Sequence, residues 1–181
     1  MSTVTAIQTR IPAGTWQVDR AHSNATFAVR HAGISVFRGS FRDLDARLEV
    51  GDDAVLTGSV KVESIDVEDE NIRPHLLAPD FFDVARNPEV RFRSTELQID
   101  GDEVRLAGDL ELAGAIQRVA ARGTIAGPVA NPMGGEKVAL SLEAVIDRTE
   151  FGMDWQMDMP DGSPALANDV SLAVDLELGK E

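Results

Sequence analysis

The stretch NDVSLAVDLELG, residues 168–179, alternates between two kinds of side chain. Large aliphatic residues occupy every second position, and polar or small residues separate them: Val170, Leu172, Val174, Leu176 and Leu178. Successive side chains of a β-strand point to opposite faces, so a period of two predicts a strand with one buried face. The stretch therefore predicts a β-strand and makes an all-β fold the first hypothesis.

The same alternation recurs along most of the chain. Further examples are residues 24–31, 44–50, 90–93, 104–112 and 138–146. About eight such strands joined by short Asp/Gly turns predict antiparallel hairpins in a meander. A closed barrel leaves no exposed sheet edge, and eight strands can enclose a small ligand. The prediction is an antiparallel eight-stranded barrel.

Two segments interrupt the alternation. Residues 66–87 are predicted to be helical or irregular, and residues 147–168 are rich in turns. Both are longer than an ordinary hairpin loop, so we expect a short helical segment and a second loop to cover one end of the barrel. The second segment carries Met153, Trp155, Met157 and Met159. These side chains are interpreted either as core filling or as a pliable lining for an alkyl chain, since a thioether copper site would have no histidine nearby in sequence.

The acidic composition of the chain limits the kinds of binding partner that can be expected. The 181 residues include 17 Lys+Arg and 31 Asp+Glu, giving a formal net charge of -14. Nucleic acids and anionic membrane surfaces require a basic footprint, so neither is expected as a partner. The chain contains no cysteine, which excludes disulfides, thiol catalysis and cysteine-ligated metals.

The chain carries no pattern for membrane spanning or secretion. There is no 18-residue apolar run, so no membrane span is predicted. The first residues lack a basic region followed by an apolar one, so no signal peptide is predicted and the expected location is the cytoplasm. Residues 1–14 are expected to be a flexible lead, and 15–181 a single barrel domain.

Several word-like motifs then appear in a fixed order. They are TWQVDRAHSNATFAVRH (15–31), ENIRPHLLAPDFFD (70–83), NPEVRFRST (87–95), LAGDLELAG (106–114), DRTEFGM (147–153) and NDVSLAVDLEL (168–178). From about Trp16 onward the chain resembles the YceI-like family. That resemblance implies a lipocalin-like barrel, a polyisoprenoid lipid bound inside it in some members, and a homodimer. Many relatives are periplasmic, whereas the expectation here is cytoplasmic.

The resulting prediction is a non-catalytic protein that binds, sequesters or transports a long-chain isoprenoid lipid, polyprenyl or quinone-like. Its partner is a hydrophobic small molecule or lipid, and no cofactor is expected apart from a bound isoprenoid lipid. The predicted cavity lining is Phe27, Val29, Phe41, Phe82, Phe92, Leu110, Leu140, Met153 and Trp155. The predicted head-group contacts are His31, Arg73 and His75.

The three histidines also have to be considered as metal ligands. His22 and His31 are nine residues apart, so a regular strand would point them to opposite faces. No H-x-H or H-x-x-E-H spacing is present, and no metal is expected. His31 shares a face with Phe27 and Val29, which fits either a core histidine or a polar contact to a ligand head group.

Asp19, His22 and Ser23 are the residue types of a serine-hydrolase triad. Adjacent histidine and serine side chains on a strand point apart, and no G-x-S-x-G turn is present. We interpret the three residues as a hydrogen-bonded corner that closes the first strand onto the second. No catalytic residue is predicted.

Two other functions stay open at this stage. An enzyme acting on a quinone or prenyl compound in the same cavity would need a titratable group, for which His31 is the candidate. A dry structural or partner-binding module would need bulky side chains in every inner layer. The inner stripes mix Ala and Gly with Leu, Val and Phe, which fits either a filled or a hollow interior.

Overall fold

The computed structural model describes Ile7 and residues 10–181. In this part of the chain, 11 strands form one sheet, and a short helix lies between the sixth and seventh strands. The elements are β1 (Gly14–Val18), β2 (Asn24–His31), β3 (Ser35–Phe41), β4 (Leu44–Val50), β5 (Ala54–Lys61), β6 (Ile65–Val67), α1 (Arg73–Leu77), β7 (Glu89–Asp100), β8 (Glu103–Leu112), β9 (Ala115–Ala130), β10 (Glu136–Asp147) and β11 (Leu166–Lys180). Short 3-10 turns occupy Arg20–His22, Val62–Ser64 and Arg148–Phe151.

The strands occupy eight positions around a closed antiparallel barrel. β11 pairs with β10 on one side and with both β2 and β1 on the other, which closes the ring. β1 and β2 therefore act as one broken strand, and so do β3 with β4 and β5 with β6, since β3 pairs with β6 while β4 pairs with β5. The predicted all-β, antiparallel eight-stranded barrel is confirmed.

Alternating burial explains why these sequences form strands. In β4 the pattern alternates strictly, with Leu44, Ala46, Leu48 and Val50 buried and the residues between them exposed. β8 and β10 alternate in the same way. Each strand therefore contributes an apolar face to the interior and a polar face to water, as an amphipathic strand requires.

One end of the barrel is filled with side chains. Its fully buried side chains include Trp16, Ile11, Leu48, Val104, Val138, Leu140 and Leu178. The Trp16 indole N–H donates to the Pro12 carbonyl oxygen at 3.1 Å, so its polar atom is satisfied. We call this region the packed end.

The predicted flexible lead, residues 1–14, lies partly outside the described residues, which begin with Ile7 and resume at Arg10. Ile7 and Ile11 are buried in the core cluster of the packed end. The Arg10 guanidinium donates to the Gly127 carbonyl oxygen and reaches the Asp102 carboxylate at 2.8 Å. These residues contribute to the packed end and fasten to two hairpins.

The opposite end, which we call the hollow end, is covered by the two segments that interrupt the alternation. α1 and the turns after it come from the first segment, and a turn-rich stretch ending before β11 comes from the second. Among the described residues, no helix combines the length and apolar character needed to cross a bilayer.

Candidate ligand-binding site

An apolar cavity of about 300 Å³ lies in the hollow end. We call it the outer compartment. Aromatic side chains from three parts of the chain surround it: Phe27, Phe37 and Phe41 from β2 and β3, Phe81 and Phe82 after α1, and Trp155 before β11. The rings of Phe41 and Phe82 meet edge to face with centroids 5.6 Å apart. Edge-to-face packing of this kind favours a defined aromatic wall.

A second cavity of about 180 Å³ lies deeper, between the outer compartment and the packed end. We call it the inner compartment. The two cavities share Phe27, Phe41, Val90, Leu110 and Leu172 in their walls. At roughly 30 Å³ per water-sized group, the outer compartment holds about ten non-hydrogen atoms and the inner compartment about six. That corresponds to roughly two five-carbon units and one five-carbon unit.

α1 closes part of the mouth. Pro74 lies in its first turn, where a missing N–H costs nothing, and the helix ends after Leu77. Buried Leu76 packs with Ile65 and Val67 of β6, against the phenylalanines of the outer compartment. The helical segment predicted to cover one end of the barrel is therefore present, although it is only 5 residues long.

Arg148 organises the second covering segment. Its side chain is buried, and its guanidinium donates to the carbonyl oxygens of Met153, Trp155, Leu166 and Ala167 at 2.6–3.4 Å. Burial lowers the pKa of Arg148 below its ordinary value, and the nearby carboxylates of Asp147 and Asp154 oppose that shift. One side chain thus ties both ends of the segment to the barrel.

Sequence reasoning missed Arg148 as a functional residue. The signal was present, because Ile146 points inward on β10 and the same parity carries Arg148 inward two residues later. Phe37 was missed in the same way, since it shares the inner face of β3 with Phe41. Arg148 lies within the motif DRTEFGM, whereas Phe37 lies outside the quoted motifs, and the period of two identifies both as inward-facing.

The predicted lining residues fall into three groups. The outer compartment is lined by Phe27, Val29, Phe41, Phe82, Leu110, Met153 and Trp155, and the inner compartment by Phe92 as well as Phe27, Phe41 and Leu110. Leu140 corrects the prediction: it lies in the packed end, because its cross-strand neighbours are Ile125 and Leu176 of the core cluster. Parity placed Leu140 on the inner face but gave no depth along the barrel.

Two of the predicted head-group residues reach the cavity. His31 is exposed at the end of β2 and lines the mouth of the outer compartment. His75 also lines it, stacks edge to face with Phe81 and Trp155, and has its Nε2 3.3 Å from the Asp80 carboxylate.

Arg73 is not part of the cavity wall. Its guanidinium donates to the backbone carbonyl oxygens of Glu63 and Ile65. The arginine therefore fastens α1 to the end of the broken β5–β6 strand. This corrects its predicted role as a head-group contact, because its donors are directed at the protein backbone.

The predicted corner between β1 and β2 is built around Asp19. Its carboxylate accepts from the Ala21 N–H at 3.0 Å and lies 2.9 Å from His22 Nδ1. The Ser23 hydroxyl oxygen accepts from the Glu177 N–H at 2.9 Å, which joins the corner to β11. Among the described residues, His22 contacts the Asp19 carboxylate and no hydrogen bond joins it to the Ser23 hydroxyl, so the corner shows no Ser–His contact of the kind that activates a serine nucleophile.

Charge organises this corner. Lys137 Nζ lies 3.0 Å from the Asp19 carboxylate and 2.8 Å from that of Glu177. The hydrogen bonds from His22 and Lys137 lower the pKa of Asp19 to about 2, and the Asp19 carboxylate raises the pKa of His22 above its ordinary value. Asp19, His22 and Glu177 bring three donor atoms within 4.8 Å of one another, but the Lys137 ammonium already bridges the two carboxylates.

Comparison with known proteins extends this description. A family model described as the YceI-like domain matches residues 16–178. The protein YceI of Escherichia coli O157:H7 is 28% identical over 147 residues, which cover 78% of this chain and 77% of that protein.

Two solved structures share the fold. BcnA of Burkholderia cenocepacia superposes with a TM-score of 0.73 at 18% identity, covering 88% of this chain and 98% of that one. A polyisoprenoid binding domain from Saccharophagus degradans superposes with a TM-score of 0.72 at 10% identity, covering 93% and 99%. At sequence identities this low, the similarity to these two structures shows that the fold is shared and nothing more.

Proposed function

Because the chain belongs to the YceI-like domain family, we propose that it binds a long-chain isoprenoid lipid, polyprenyl or quinone-like, inside the hollow end and sequesters or transports it without changing it. The observation that carries the proposal is the pair of contiguous compartments, whose walls are almost entirely aliphatic and aromatic. The polyisoprenoid binding domain of Saccharophagus degradans, which shares this fold, supports the choice of ligand class.

Burial of the lipid chain would supply the binding energy. At about 0.8 kcal/mol per methylene group, each five-carbon isoprene unit contributes about 4 kcal/mol before ordering costs. The two compartments together have room for roughly three such units. Few polar contacts are then needed, which agrees with a cavity whose polar side chains, His31, His75 and Arg148, lie near the mouth.

The chemistry of the mouth supports binding without catalysis. Arg148 is committed to four backbone carbonyl oxygens, so it is not available as an acid or base. His75 is held between two aromatic rings. His31 is the residue through which a catalytic alternative would act, and a His31→Ala variant tests it: in the proposed function it binds lipid and, like the parent, yields no product.

Native mass spectrometry of the protein from its own host, followed by organic extraction, is the first experiment. The expected result is a stoichiometric added mass that extracts as a prenyl lipid or quinone. The same protein, delipidated, is then titrated with geranylgeraniol. No added mass together with no binding of geranylgeraniol would overturn the proposal in favour of a dry module.

A pair of variants localises the site. Leu110→Asp places a charge in the wall shared by both compartments, and Ile116→Asp places the same charge on the exposed outer face of β9. We expect geranylgeraniol binding to be lost in Leu110→Asp and kept in Ile116→Asp, with folding checked by circular dichroism. Equal binding by both folded variants would show that the ligand does not bind in these compartments.

The proposal also includes the two expectations drawn from the sequence, namely that the protein is a homodimer and that it is located in the cytoplasm. Light scattering of the purified protein tests the first, and a mass near that of one chain would overturn it. Fractionation of the host cell tests the second.

A further inference from the structure

The barrel wall is incomplete between β9 and β10. Cross-strand pairing between them ends at Arg122 and Glu143, although β9 stays paired with β8 as far as Ala115 and β10 stays paired with β11 as far as Asp147. The facing edges, 115–121 and 144–147, therefore separate on the side nearer the mouth. Backbone N–H and C=O groups on separated edges need side chains, water or a ligand as partners. One side chain links the two sides of the gap near the mouth, where Gln117 Nε2 donates to the Glu150 carbonyl oxygen at 3.0 Å. We call this gap the seam.

A groove of about 980 Å³ runs along the outside of the barrel over the seam. Its walls include Leu106, Ala121, Ala144 and Leu172, which also line the inner compartment. The outside groove and the inside cavity thus meet at the seam. Ala121 and Ala144 are the next residues of β9 and β10 beyond their last pair, and each contributes only a methyl group to the wall at this point.

Unpaired arginines flank the groove. Arg105 and Arg122 lie directly opposite each other on β8 and β9, and Arg38 lies on the far wall. Within residues 7 and 10–181, none of the three forms an ion pair or a side-chain hydrogen bond, although the chain has a net charge of -14. Like charges directly opposite each other on a sheet destabilise it, and a bound anion would relieve that repulsion.

Two carboxylates share the groove. Glu143 lies opposite Arg122 in the β9–β10 register without reaching ion-pair distance, and Asp66 is held by Arg42 at 2.8 Å. The acidic charge near Asp66 is therefore balanced by its own partner. The two facing arginines outnumber the one unpaired carboxylate beside them, which leaves the groove over the seam locally basic.

Building on the proposed function, we infer that the seam is a side opening to the inner compartment, through which an amphiphile with an anionic head group inserts its chain past Ala121 and Ala144 while Arg105 and Arg122 hold the head group outside. The small volume of the compartments fits this arrangement, since a chain longer than about three isoprene units must leave the barrel somewhere. The ligand class is thereby narrowed to lipids with a phosphate or carboxylate head.

The charge part of this inference is tested with two probes that differ only in the head group. Geranylgeranyl monophosphate is expected to bind at least about tenfold more tightly than geranylgeraniol, because charge-assisted hydrogen bonds are the strong ones. The double variant Arg105→Gln/Arg122→Gln is expected to lose that preference and to keep its affinity for geranylgeraniol. Arg47→Gln/Arg93→Gln, an equal change of charge on strands β4 and β7, is the matched control and is expected to keep the preference.

The outcomes separate this inference from the proposed function. If the parent protein binds neither probe, the proposed function fails. If it binds both probes with equal affinity, or if Arg105→Gln/Arg122→Gln keeps the preference for the monophosphate, the lipid site stands and the anionic head-group site is overturned.

The opening itself is tested with a single introduced thiol, because the chain has no cysteine. Ala144 and Leu142 lie two residues apart on the inner face of β10, but Leu142 still pairs with Gly123 of β9 while Ala144 lies beyond the last pair. Ala144→Cys is expected to react at least tenfold faster than Leu142→Cys with a maleimide carrying a long polyethylene glycol chain. Geranylgeranyl monophosphate is expected to protect it. Equal, slow labelling of both thiols would show a closed wall and overturn the opening.

Discussion

The packed end and the hollow end are built from the same alternating strands and differ in what those strands place inside. In the packed end, Trp16, Leu48 and Leu178 are fully buried on the inner faces of the neighbouring strands β1, β4 and β11. Around the inner compartment, positions on the same inner faces carry Gly58, Ala121 and Ala144. A period of two decides which face is inside, whereas the volume of each inner layer decides whether the interior is solid or hollow.

The largest effect is expected from the same substitution made at the two ends. Leu178→Ala in the packed end should lower the free energy of unfolding by about 3–5 kcal/mol, because the surrounding side chains cannot close the new cavity. Leu110→Ala should cost about 2 kcal/mol, at the low end of the range for a buried leucine, because Leu110 already borders empty space in both compartments and has fewer contacts to lose. Urea denaturation of both variants measures the difference, and equal losses would mean that the two ends are packed alike.

The next effect concerns what keeps the hollow end covered. Arg148→Lys replaces a planar fork of donors with a single ammonium group, which cannot reach four separate carbonyl oxygens. We expect a loss of about 2–3 kcal/mol, since a net contribution of about 1 kcal/mol is typical for each hydrogen bond.

Limited proteolysis combined with denaturation measures the Arg148 effect. The stretch between Met153 and Leu166 is expected to become the first site of cleavage. Arg86→Lys, at a side chain that is 85% exposed, is the control and should change the stability by less than about 0.5 kcal/mol. An Arg148→Lys variant as stable and as protease-resistant as the parent would show that the covering segment holds without the arginine.

A smaller loss of stability is expected at Gly39, where the lack of a side chain leaves room for the Phe27 ring of the aromatic wall. A Cβ at Gly39 would collide with the ring of Phe27, so Gly39→Ala should displace that ring and cost about 1–2 kcal/mol. Gly58→Ala is the matched control, because its Cβ would meet the Asp45 carbonyl oxygen at an ordinary 3.6 Å and partly fill the inner compartment.

The glycine pair is measured by thermal unfolding and by geranylgeraniol affinity. Gly58→Ala should be neutral or slightly stabilising, by up to about 1 kcal/mol. Adding Phe27→Leu should remove most of the cost of Gly39→Ala, because the colliding ring is then gone. A Gly39→Ala cost that persists in the Phe27→Leu background would place its cause elsewhere.

The smallest effect lies in the corner at Asp19, on the wall where the packed end begins. The pKa of Asp19 is lowered from 3.8 to about 2, so its stabilising contribution is present above pH 3.8 and is lost as the pH falls toward 2. The pKa of His22 is raised above 6.5, so its contribution is present below that pH and is lost as the pH rises through the raised value.

Asp19→Asn tests both limbs of this pH dependence. Its stability should differ most from that of the parent between pH 3.8 and 6.5, where the parent has both Asp19 charged and His22 protonated. Proton NMR titration should show the His22 pKa moving down toward its ordinary value. A His22 titration curve unchanged by Asp19→Asn would assign the raised pKa to Glu177, which lies 3.7 Å from the ring.

Much of the barrel could be predicted because alternation is a local signal. Val170 to Leu178 read as one strand from the sequence and form one strand in the structure. The three broken strands could not be predicted, because their bends follow from which partner each half pairs with, as at Arg42, where β3 leaves β6 and β4 joins β5. Such a bend depends on how the whole barrel closes. The residues at the bend carry no sequence signal for the change of pairing partner.

The candidate site likewise divides into features that the sequence predicts and features that depend on the three-dimensional structure. Phe27, Phe82 and Trp155 were predicted as lining because large apolar residues inside the matched motifs point inward. Leu140 has the same character and lies in the packed end, and Arg73 has the charge of a head-group contact and instead binds backbone. Depth along the barrel and the direction of a long polar side chain depend on the neighbouring strands, so neither can be read from a position in the chain.

The double pairing of β11 has a consequence for how the chain folds. On one edge β1 pairs with β4 and β2 pairs with β3, but on the other edge both strands pair with residues 166–180, so the contacts that close the ring join residues about 150 apart in sequence, for example Asn24 and Asp175. Contacts of such long sequence separation slow folding, because the entropy of a large loop is lost before the contact forms. During synthesis one edge of β2 and one edge of β10 therefore stay unpaired, and prone to aggregation, until β11 has left the ribosome.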